Sequence, residues 1–278
     1  MTTSAPAPTV TLANGTAMPA LGLGTWPMDD DEAARAVATA IDGGYRLVDT
    51  AENYGNERGV GRGLRDASVD RSELFVTTKF NRRWHGVDGA RQACEASLDR
   101  LGLDYLDLLL IHWPNPDQDR YVEAWQGLLA LRDEGLIRAA GTSNFKPHHL
   151  RRLVDETGVA PEVNQINLNP YAARADTVAF HAEHAIVTEA WSPIKPRELL
   201  DDPVITEIAR RHDRSPAQVV LRWITQQGYV TCPKSASPER QRENLDVFDL
   251  ELDPQELAAV SGLDRGESQV TDSDEFGH

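Results

Sequence analysis

The sequence predicts an α/β fold in which eight parallel strands close into a (β/α)8 barrel, with an N-terminal β-hairpin across the end where the strands begin. Apolar strand-like runs alternate with amphipathic helical stretches eight times. The 278 residues are close to the ~250 typical of such barrels. No second composition zone appears, which favours closure over a doubly wound open sheet. We therefore treat 1–278 as one domain, with a hairpin at 9–21, a barrel at about 21–250 and a tail at 264–278.

The hairpin is predicted by two short strand-like runs, 9–12 and 17–21, on either side of Asn14-Gly15. Asn-Gly is a strong signal for a tight turn because both residues adopt positive φ readily. The hairpin precedes the first barrel strand in the chain. We therefore expect it outside the barrel, plugging the end where the strands begin.

The barrel strands and helices are predicted from periodicity. The strands are 21–26, 45–51, 74–80, 106–113, 137–143, 162–168, 185–191 and 228–232. The helices are 31–42, 57–67, 87–101, 121–134, 147–156, 175–184, 204–212, 216–227 and 238–247. The third, fourth and seventh strands are largely apolar, as expected for strands covered on both faces.

The charge balance excludes several classes of partner. The chain has 44 acidic and 28 basic residues and a formal net charge of −16. Such a surface repels nucleic acid and anionic membranes. No apolar run approaches the ~20 residues needed to span a bilayer. The N-terminal residues lack the pattern of a signal peptide.

Cysteine content and surface pattern bear on compartment and assembly. The two cysteines, Cys94 and Cys232, form no CxxC motif, which favours a reduced, cytoplasmic compartment. No heptad or strong apolar stripe predicts an obligate assembly, so we expect a monomer.

His181 and His184 have helical spacing but no further ligand set, and we predict no metal site. We expect His148-His149 at the surface.

Each predicted strand delivers a polar or aromatic group near its C-terminal end, where barrel enzymes place their chemistry. In strand order these residues are Thr25-Trp26, Asp49, Lys79, His112-Trp113, Ser143-Asn144, Gln165 and Asn167, Trp191-Ser192, and Lys234-Ser235. A merely solvated face would carry mixed Lys and Glu instead. The sequence therefore predicts a site at this end of the barrel.

Three of these residues, Asp49, Lys79 and His112, suggest a chemistry when they are taken together with Tyr54. Asp49 and Lys79 on neighbouring strands would form an ion pair, and Tyr54 follows Asp49 closely enough to fold back over it. A nearby ammonium lowers the pKa of a phenol and makes it a usable general acid. His112 could hydrogen-bond a substrate oxygen beside it. This set suggests carbonyl reduction or its reverse, although an isolated Asp–Lys pair is more often a structural salt bridge.

Several segments, in chain order, resemble one known family. They are VTLANGTAMPALGLGTW (10–26), GYRLVDTAENYGNERGVG (44–61), TTKF (77–80), IHWP (111–114), GTSNF (141–145), VNQINLNP (163–170), WSP (191–193) and PKSASPERQREN (233–244). Together they resemble the aldo-keto reductases. Within that superfamily, SPAQVVLRW (215–223) and 233–252 are most similar to the bacterial 2,5-diketo-D-gluconate reductases.

The resemblance implies an NADPH-dependent reductase of aldehydes and ketones, acting on a small carbonyl substrate such as a keto-sugar acid or a small dicarbonyl. It implies that Tyr54 is the general acid, that Asp49 and Lys79 tune it, and that His112 orients the carbonyl. The implied substrate contacts are Trp26, Trp84, His112 and Trp113.

The resemblance also implies how NADP(H) is held across the barrel mouth. Trp191 would stack on the nicotinamide, and Ser143, Asn144 and Gln165 would bind its carboxamide. The other implied cofactor contacts are Lys234, Ser235 and Arg240 at the 2′-phosphate, Glu243 and Asn244 at the adenine, and Thr25, Trp26, Asp49 and Ser192 elsewhere. Lys and Arg suit a phosphate because their hydrogen bonds to it are charge-assisted. We therefore expect a local positive patch at the mouth of an otherwise acidic protein.

Other interpretations remain open from the sequence. GLG (22–24) and GVGRG (59–63) are weak matches to a Rossmann fingerprint. A nucleotide-sensing regulatory subunit could use the same fold without catalysis. A barrel isomerase or lyase acting on a sugar acid is a further alternative. The loop 194–202 is short and lacks the glycines usual in a cofactor strap, and Phe276 in the tail is a candidate to reach the site.

Overall fold

The computed structural model describes residues 6–278 and begins with an antiparallel hairpin of β1 (Thr9–Thr11) and β2 (Ala17–Pro19). Gly15 has a φ of +86°, a conformation that glycine adopts without strain. The Asn14 side chain accepts from Thr16 N (2.9 Å) and donates to Arg138 O (3.0 Å). The second bond ties the hairpin to the barrel.

Eight parallel strands follow in chain order around the barrel. They are β3 (Leu23–Gly24), β4 (Leu47–Asp49), β5 (Phe75–Phe80), β6 (Leu106–Ile111), β7 (Ile137–Ser143), β8 (Val163–Asn167), β9 (Val187–Trp191) and β10 (Val230–Thr231). Parallel bridges from Leu21 to Thr231 and from Gly24 to Lys234 join the first strand to the last. The sheet is therefore closed, as the sequence predicted.

The helices lie between the strands and outside them. They are α1 (Asp30–Asp42), α2 (Glu57–Asp66), α3 (Val87–Leu101), α4 (Tyr121–Asp133), α5 (Pro147–Thr157), α6 (Ala175–Glu183), α7 (Pro203–His212), α8 (Pro216–Gln226), α9 (Pro238–Leu245) and α10 (Pro254–Ser261). The sequence analysis did not predict α10, although Asp253 and Glu256 form a capping box at its start. In the described residues, no helix is long and apolar enough to cross a membrane.

The barrel interior is apolar at the end where the strands begin. Its cluster includes Leu47, Phe75, Leu108, Val163 and Val230, and the hairpin adds Leu12 and Met18. The hairpin therefore closes this end of the barrel, as predicted. Because side chains alternate along a strand, the residue two positions later faces the same interior. Leu47 is followed in this way by Asp49, and Val163 by Gln165, so the interior becomes polar toward the opposite end, which we call the mouth.

The glycines of GVGRG have a packing role. A Cβ on Gly59 would overlap the Asp30 carbonyl, and one on Gly61 would overlap the Leu101 carbonyl. These glycines allow α2 to pack closely against α1 and the end of α3. They lie within a helix on the outside of the barrel, so the Rossmann interpretation is wrong for this segment.

Candidate active site

A cavity of about 670 Å³ opens at the mouth of the barrel. Most of the predicted site residues line it: Thr25, Trp26, Asp49, Tyr54, His112, Trp113, Ser143, Asn144, Gln165, Trp191, Ser192 and Lys234. Six predicted residues are not among the lining residues: Lys79, Trp84, Ser235, Arg240, Glu243 and Asn244. Asn53, Ile194, Lys195, Cys232 and His278 line the cavity without having been predicted.

A buried ion pair joins Asp49, which lines the cavity, to Lys79, which does not. The Lys79 ammonium donates to both Asp49 carboxylate oxygens (2.7 and 2.8 Å) and to the Thr50 carbonyl (2.9 Å). Burial acts to lower the pKa of Lys79, but Asp49, Tyr54 and Glu189 together outweigh it and the pKa is raised. Lys79 is therefore charged, and its ammonium is held in one position.

Tyr54 lies over this pair because the chain turns through a short 3-10 helix, Glu52–Tyr54, directly after β4. Its hydroxyl is 3.3 Å from the Lys79 ammonium. Burial raises the pKa of Tyr54 and outweighs the lowering by Lys79, while Asp49 raises it further. The predicted net lowering is therefore wrong in sign, although Lys79 acts in the predicted direction. The phenol keeps its proton near neutral pH and can donate it.

His112 follows β6 and lines the cavity beside Tyr54, with ring centroids 6.0 Å apart. Burial lowers its pKa well below the usual range, and Lys79 and His278 lower it further. The imidazole is therefore neutral. Its Nδ1 has no hydrogen-bond partner among the described residues, and its backbone oxygen accepts from Asn144 Nδ2 (3.1 Å). A neutral imidazole can donate one hydrogen bond to a substrate oxygen.

Besides Lys79, a network of side-chain amides and hydroxyls is hydrogen-bonded around Asp49. Gln165 Nε2 donates to Asp49 (2.9 Å), and the Ser143 hydroxyl donates to the Gln165 carbonyl (3.0 Å). Asn144 accepts from the Trp191 indole N–H (2.9 Å). This hydrogen bond holds the indole of Trp191 in place, and the side chain remains partly exposed where it lines the cavity.

A second group of predicted residues surrounds the start of α9. Ser237 caps this helix by accepting from Arg240 N (3.3 Å), and the buried Ser235 hydroxyl accepts from Ser237 N (3.3 Å). Lys234 and Arg240 are exposed, and Lys234 lies 3.5 Å from Glu32. Glu243 and Asn244 lie farther along the same helix. The two cations and the helix start form a site suited to a phosphate.

Two tryptophans at the mouth have different surroundings. Trp26 is half exposed, and the Lys195 ammonium lies 5.1 Å above its ring. Lys195 belongs to the loop 194–202, which therefore reaches the cavity edge despite its short length. Trp84 points elsewhere: its indole N–H donates to Glu52 (2.9 Å), two residues before Tyr54. The structure thus separates Trp84 from the other predicted substrate contacts.

The C-terminal tail forms one wall of the cavity. The Phe276 ring packs on Trp113 (centroids 4.8 Å apart), and the His278 ring packs on His112 (4.9 Å). Arg82 N donates to the His278 carbonyl (3.1 Å). Outside the cavity, the Lys146 ammonium binds Asp272 (2.5 Å) and Asp274 (2.6 Å). We call Lys146, Asp272 and Asp274 the tail anchor.

Two histidines beside the tail anchor differ in exposure. His148 is exposed, but His149 is buried, so the expectation that both lie at the surface is wrong for His149. His148, His149 and Asp274 could offer ligand atoms within 4.8 Å of one another. However, His149 Nδ1 accepts from Lys146 N (3.2 Å), which places the proton of the neutral ring on Nε2, toward Asp274. Lys146 already neutralises that carboxylate, so the cluster suits a hydrogen-bonded anchor.

His181 is also a structural residue. Its two ring nitrogens lie 2.9 Å from Asn164 Nδ2 and 2.8 Å from the Thr188 hydroxyl. Both nitrogens are therefore engaged inside the protein.

Sequence reasoning missed Glu189, a fully buried carboxylate in β9. It lies between Val187 and Trp191 on the inward face of β9. Its register partner in the neighbouring strand β8 is Gln165. The signal was present in the seventh strand, AIVTEAW, because an ionisable residue in a strand covered on both faces needs a reason to be there.

Comparison with known proteins identifies the family of the chain. A sequence profile described as "Aldo/keto reductase family" matches residues 11–265. The chain is 50% identical to 2,5-diketo-D-gluconic acid reductase B of Corynebacterium sp., over 93% of this chain and 94% of that protein. It is 46% identical to methylglyoxal reductase DkgA of Escherichia coli, over 96% and 98%.

Among solved structures, a single-residue mutant of Gox0644 in complex with NADPH superposes with a TM-score of 0.91 at 43% identity, covering 96% of each chain. The fold, the ordered strand-end residues and the extent of these matches lead to one conclusion: the chain belongs to the aldo/keto reductase family.

Proposed function

We propose that this protein reduces aldehydes and ketones with NADPH, and that Tyr54 supplies the proton. The observation that carries the proposal is the contact of the Tyr54 hydroxyl with the Lys79 ammonium (3.3 Å), which Asp49 holds in place beside the neutral His112. A phenol that keeps its proton and lies beside a fixed cation suits general-acid catalysis.

The donor set fits a nicotinamide dinucleotide phosphate. Trp191 presents a fixed, partly exposed indole to the cavity, beside the amides of Asn144 and Gln165. Lys234, Arg240 and the start of α9 would hold the 2′-phosphate. Of the charged lining residues, Lys195 and Lys234 are cationic, whereas Asp49 is neutralised by Lys79. These two lysines support the expectation of local positive charge at the mouth.

The residues of the chain divide the reaction between them. When bound, the dinucleotide supplies the hydride. The His112 imidazole orients the substrate oxygen by donating a hydrogen bond, and the Tyr54 hydroxyl gives that oxygen its proton. The Lys79 ammonium stabilises the phenolate that remains, because opposite charges attract strongly where water is excluded.

We propose small dicarbonyls and keto-sugar acids as the substrate class. Two relatives, each at least 46% identical to this chain, are named 2,5-diketo-D-gluconic acid reductase B and methylglyoxal reductase DkgA. In this chain, the His278 ring packs on His112 and lies beside Trp113, which limits the room for a bulky group on that side of the cavity.

The test is NADPH oxidation, followed by absorbance, with a panel of 2,5-diketo-D-gluconate, methylglyoxal and an aromatic aldehyde. Loss of a general acid typically costs 10²–10⁴-fold, so we expect Tyr54→Phe to lose about that factor in kcat. Tyr105→Phe is the control, because Tyr105 packs under Arg71 and Arg138 and does not line the cavity. Retained turnover in Tyr54→Phe would reject the assigned acid. Binding of NADPH without turnover of any carbonyl would favour a nucleotide sensor.

We further propose that the protein works as a cytoplasmic monomer. The residues proposed for the reaction all belong to one chain, and Cys94 and Cys232 are free and buried. Free thiols are the usual state in a reducing compartment. Light scattering on the purified protein and fractionation of the source cells test the two statements, and a dimer mass or an extracellular location would contradict them.

A further inference from the structure

Glu189 presents an unusual combination of burial and weak hydrogen bonding. Its side chain is fully buried in β9, and its Oε1 accepts from the Cys232 thiol (3.2 Å). Its Oε2 has no hydrogen-bond partner in the described part of the chain. Buried carboxylates are normally bonded by several donors, and a thiol is a weak one. This environment suits a neutral carboxyl group better than an ion.

The charges around Glu189 favour the same state. The Lys79 ammonium already has four acceptors for its three hydrogens, namely both oxygens of Asp49, the Thr50 carbonyl and the Tyr54 hydroxyl, so no hydrogen is left for Glu189. One cation therefore serves two carboxylates. Burial, and next the Asp49 carboxylate, raise the pKa of Glu189 to about 7, while Lys79, Cys232 and Gln165 act against them.

The same cluster connects Glu189 with Tyr54. The groups around Glu189 are Asp49 from β4, Lys79 from β5, Gln165 from β8 and Cys232 just after β10. Glu189 pairs across the strands with Gln165, whose amide donates to Asp49, and Asp49 holds the Lys79 ammonium 3.3 Å from the Tyr54 hydroxyl. Through this cluster Glu189 makes a small contribution that raises the pKa of Tyr54. A negative charge at Glu189 disfavours a phenolate at Tyr54, because like charges repel strongly in a buried site.

We propose that Glu189 is a positioning residue that controls proton donation by Tyr54 through its charge. Protonated, it leaves the field of Lys79 available to stabilise the phenolate that forms when Tyr54 gives up its proton. Ionised, it opposes that phenolate and slows the reduction. This inference rests on the proposed role of Tyr54.

The direction of the pH effect follows from these charges. As pH rises through neutrality, Glu189 loses its proton while Tyr54 keeps its own. We expect kcat/KM for reduction in the unmodified protein to fall about three- to tenfold to a lower plateau between pH 6 and 8.5. The reason is that a rise of one unit in the pKa of Tyr54 makes it about tenfold weaker as an acid. The later loss of activity, when Tyr54 itself ionises, is a separate step.

The experiment compares pH profiles of kcat/KM for three variants. Glu189→Gln is neutral at every pH, so the fall near neutrality disappears and the final alkaline loss moves to lower pH. Cys232→Ala removes a donor that stabilises the ionised form, so the fall moves to higher pH. Glu162→Gln is the control, because Glu162 is a buried carboxylate paired with Arg132 at the far end of β8, and we expect the unmodified profile. A fall that persists unchanged in Glu189→Gln would overturn the proposal.

Infrared spectroscopy tests the protonation state without turnover. We expect a carboxylic-acid C=O band at pH 6 that vanishes by pH 9 and is missing in Glu189→Gln. Absence of that band in the unmodified protein would refute a neutral Glu189 whether or not the protein reduces carbonyls. If the band is present and Tyr54→Phe remains active, the proposed function fails while the charge state of Glu189 stands.

Discussion

The two halves of the barrel mouth differ in how their charges are held. Around β4 to β6, the Lys79 and Asp49 side chains are almost fully buried and bonded to each other. Around β10 and α9, the Lys234 side chain is 38% exposed, and its ion pair with Glu32 is long at 3.5 Å. Arg240 is also exposed. In the first half the charges are buried and bonded to each other, whereas in the second the cations are exposed and Lys234 is only loosely paired.

We expect this difference to separate the residues that affect the rate of the reaction from those that affect cofactor affinity. Groups that stabilise charge during a reaction are most effective when they are already in position, because no energy is then spent on reorganisation. Groups that bind a phosphate can remain hydrated until the ligand arrives, and their contribution appears in the dissociation constant. Substitutions in the first half should therefore change kcat and stability, and those in the second should change cofactor binding.

The largest effect is expected from Lys79→Met. Breaking a buried ion pair costs about 3–5 kcal/mol, because the remaining charge is left without a partner. We expect that loss in urea unfolding, together with a fall in kcat of at least about 10²-fold. The double variant Asp49→Asn with Lys79→Met should recover much of the stability and none of the activity. Recovery of both would show that the pair has only a structural role.

A smaller effect is expected from Lys234→Ala. One charge-assisted hydrogen bond is worth about 1.5–3 kcal/mol, so the Kd for NADPH should rise about tenfold or more. The Kd for NADH, which lacks the 2′-phosphate, should change little, and kcat at saturating NADPH should be retained. Arg242→Ala is the control, since Arg242 lies on the same helix and pairs with Glu239. An equal rise for both cofactors would place the phosphate elsewhere.

The smallest effect is expected at the tail anchor, which touches neither half directly. Exposed ion pairs contribute about 0.2–1 kcal/mol each. Replacing Asp272 and Asp274 together by Asn should therefore raise the KM for carbonyl substrates about two- to fivefold by loosening Phe276 and His278. High salt should imitate the effect in the unmodified protein. Glu275→Gln, at a neighbouring exposed position, should leave KM unchanged, and an equal effect there would assign the change to the charge of the tail alone.

The predictable part of the site depends on strand order. Parallel strands place their C-terminal ends at one edge of the barrel, so residues such as Asp49, Lys79 and His112 could be grouped from their positions in the sequence. The hairpin could be predicted in the same way from Asn14-Gly15 and the flanking runs.

The remaining features depend on tertiary burial, which periodicity does not reveal. The pKa of Tyr54 is set by the balance between burial and Lys79, and the sequence shows only the second of these. The contact of His278 with His112 joins positions far apart in the chain, and the polar tail gave little indication of it. The turn of Trp84 toward Glu52 depends on the conformation of the loop that follows β5.

The distribution of lysine has a practical consequence for chemical modification. The chain has only four lysines against 24 arginines. Lys79 is shielded beneath Tyr54, whereas Lys195 and Lys234 line the cavity and Lys146 holds the tail beside it. An amine-selective acylating reagent therefore finds its reactive side chains around a single opening. The extent of labelling reports whether that opening is occupied, and coupling to a resin through lysine turns the mouth of the barrel toward the support.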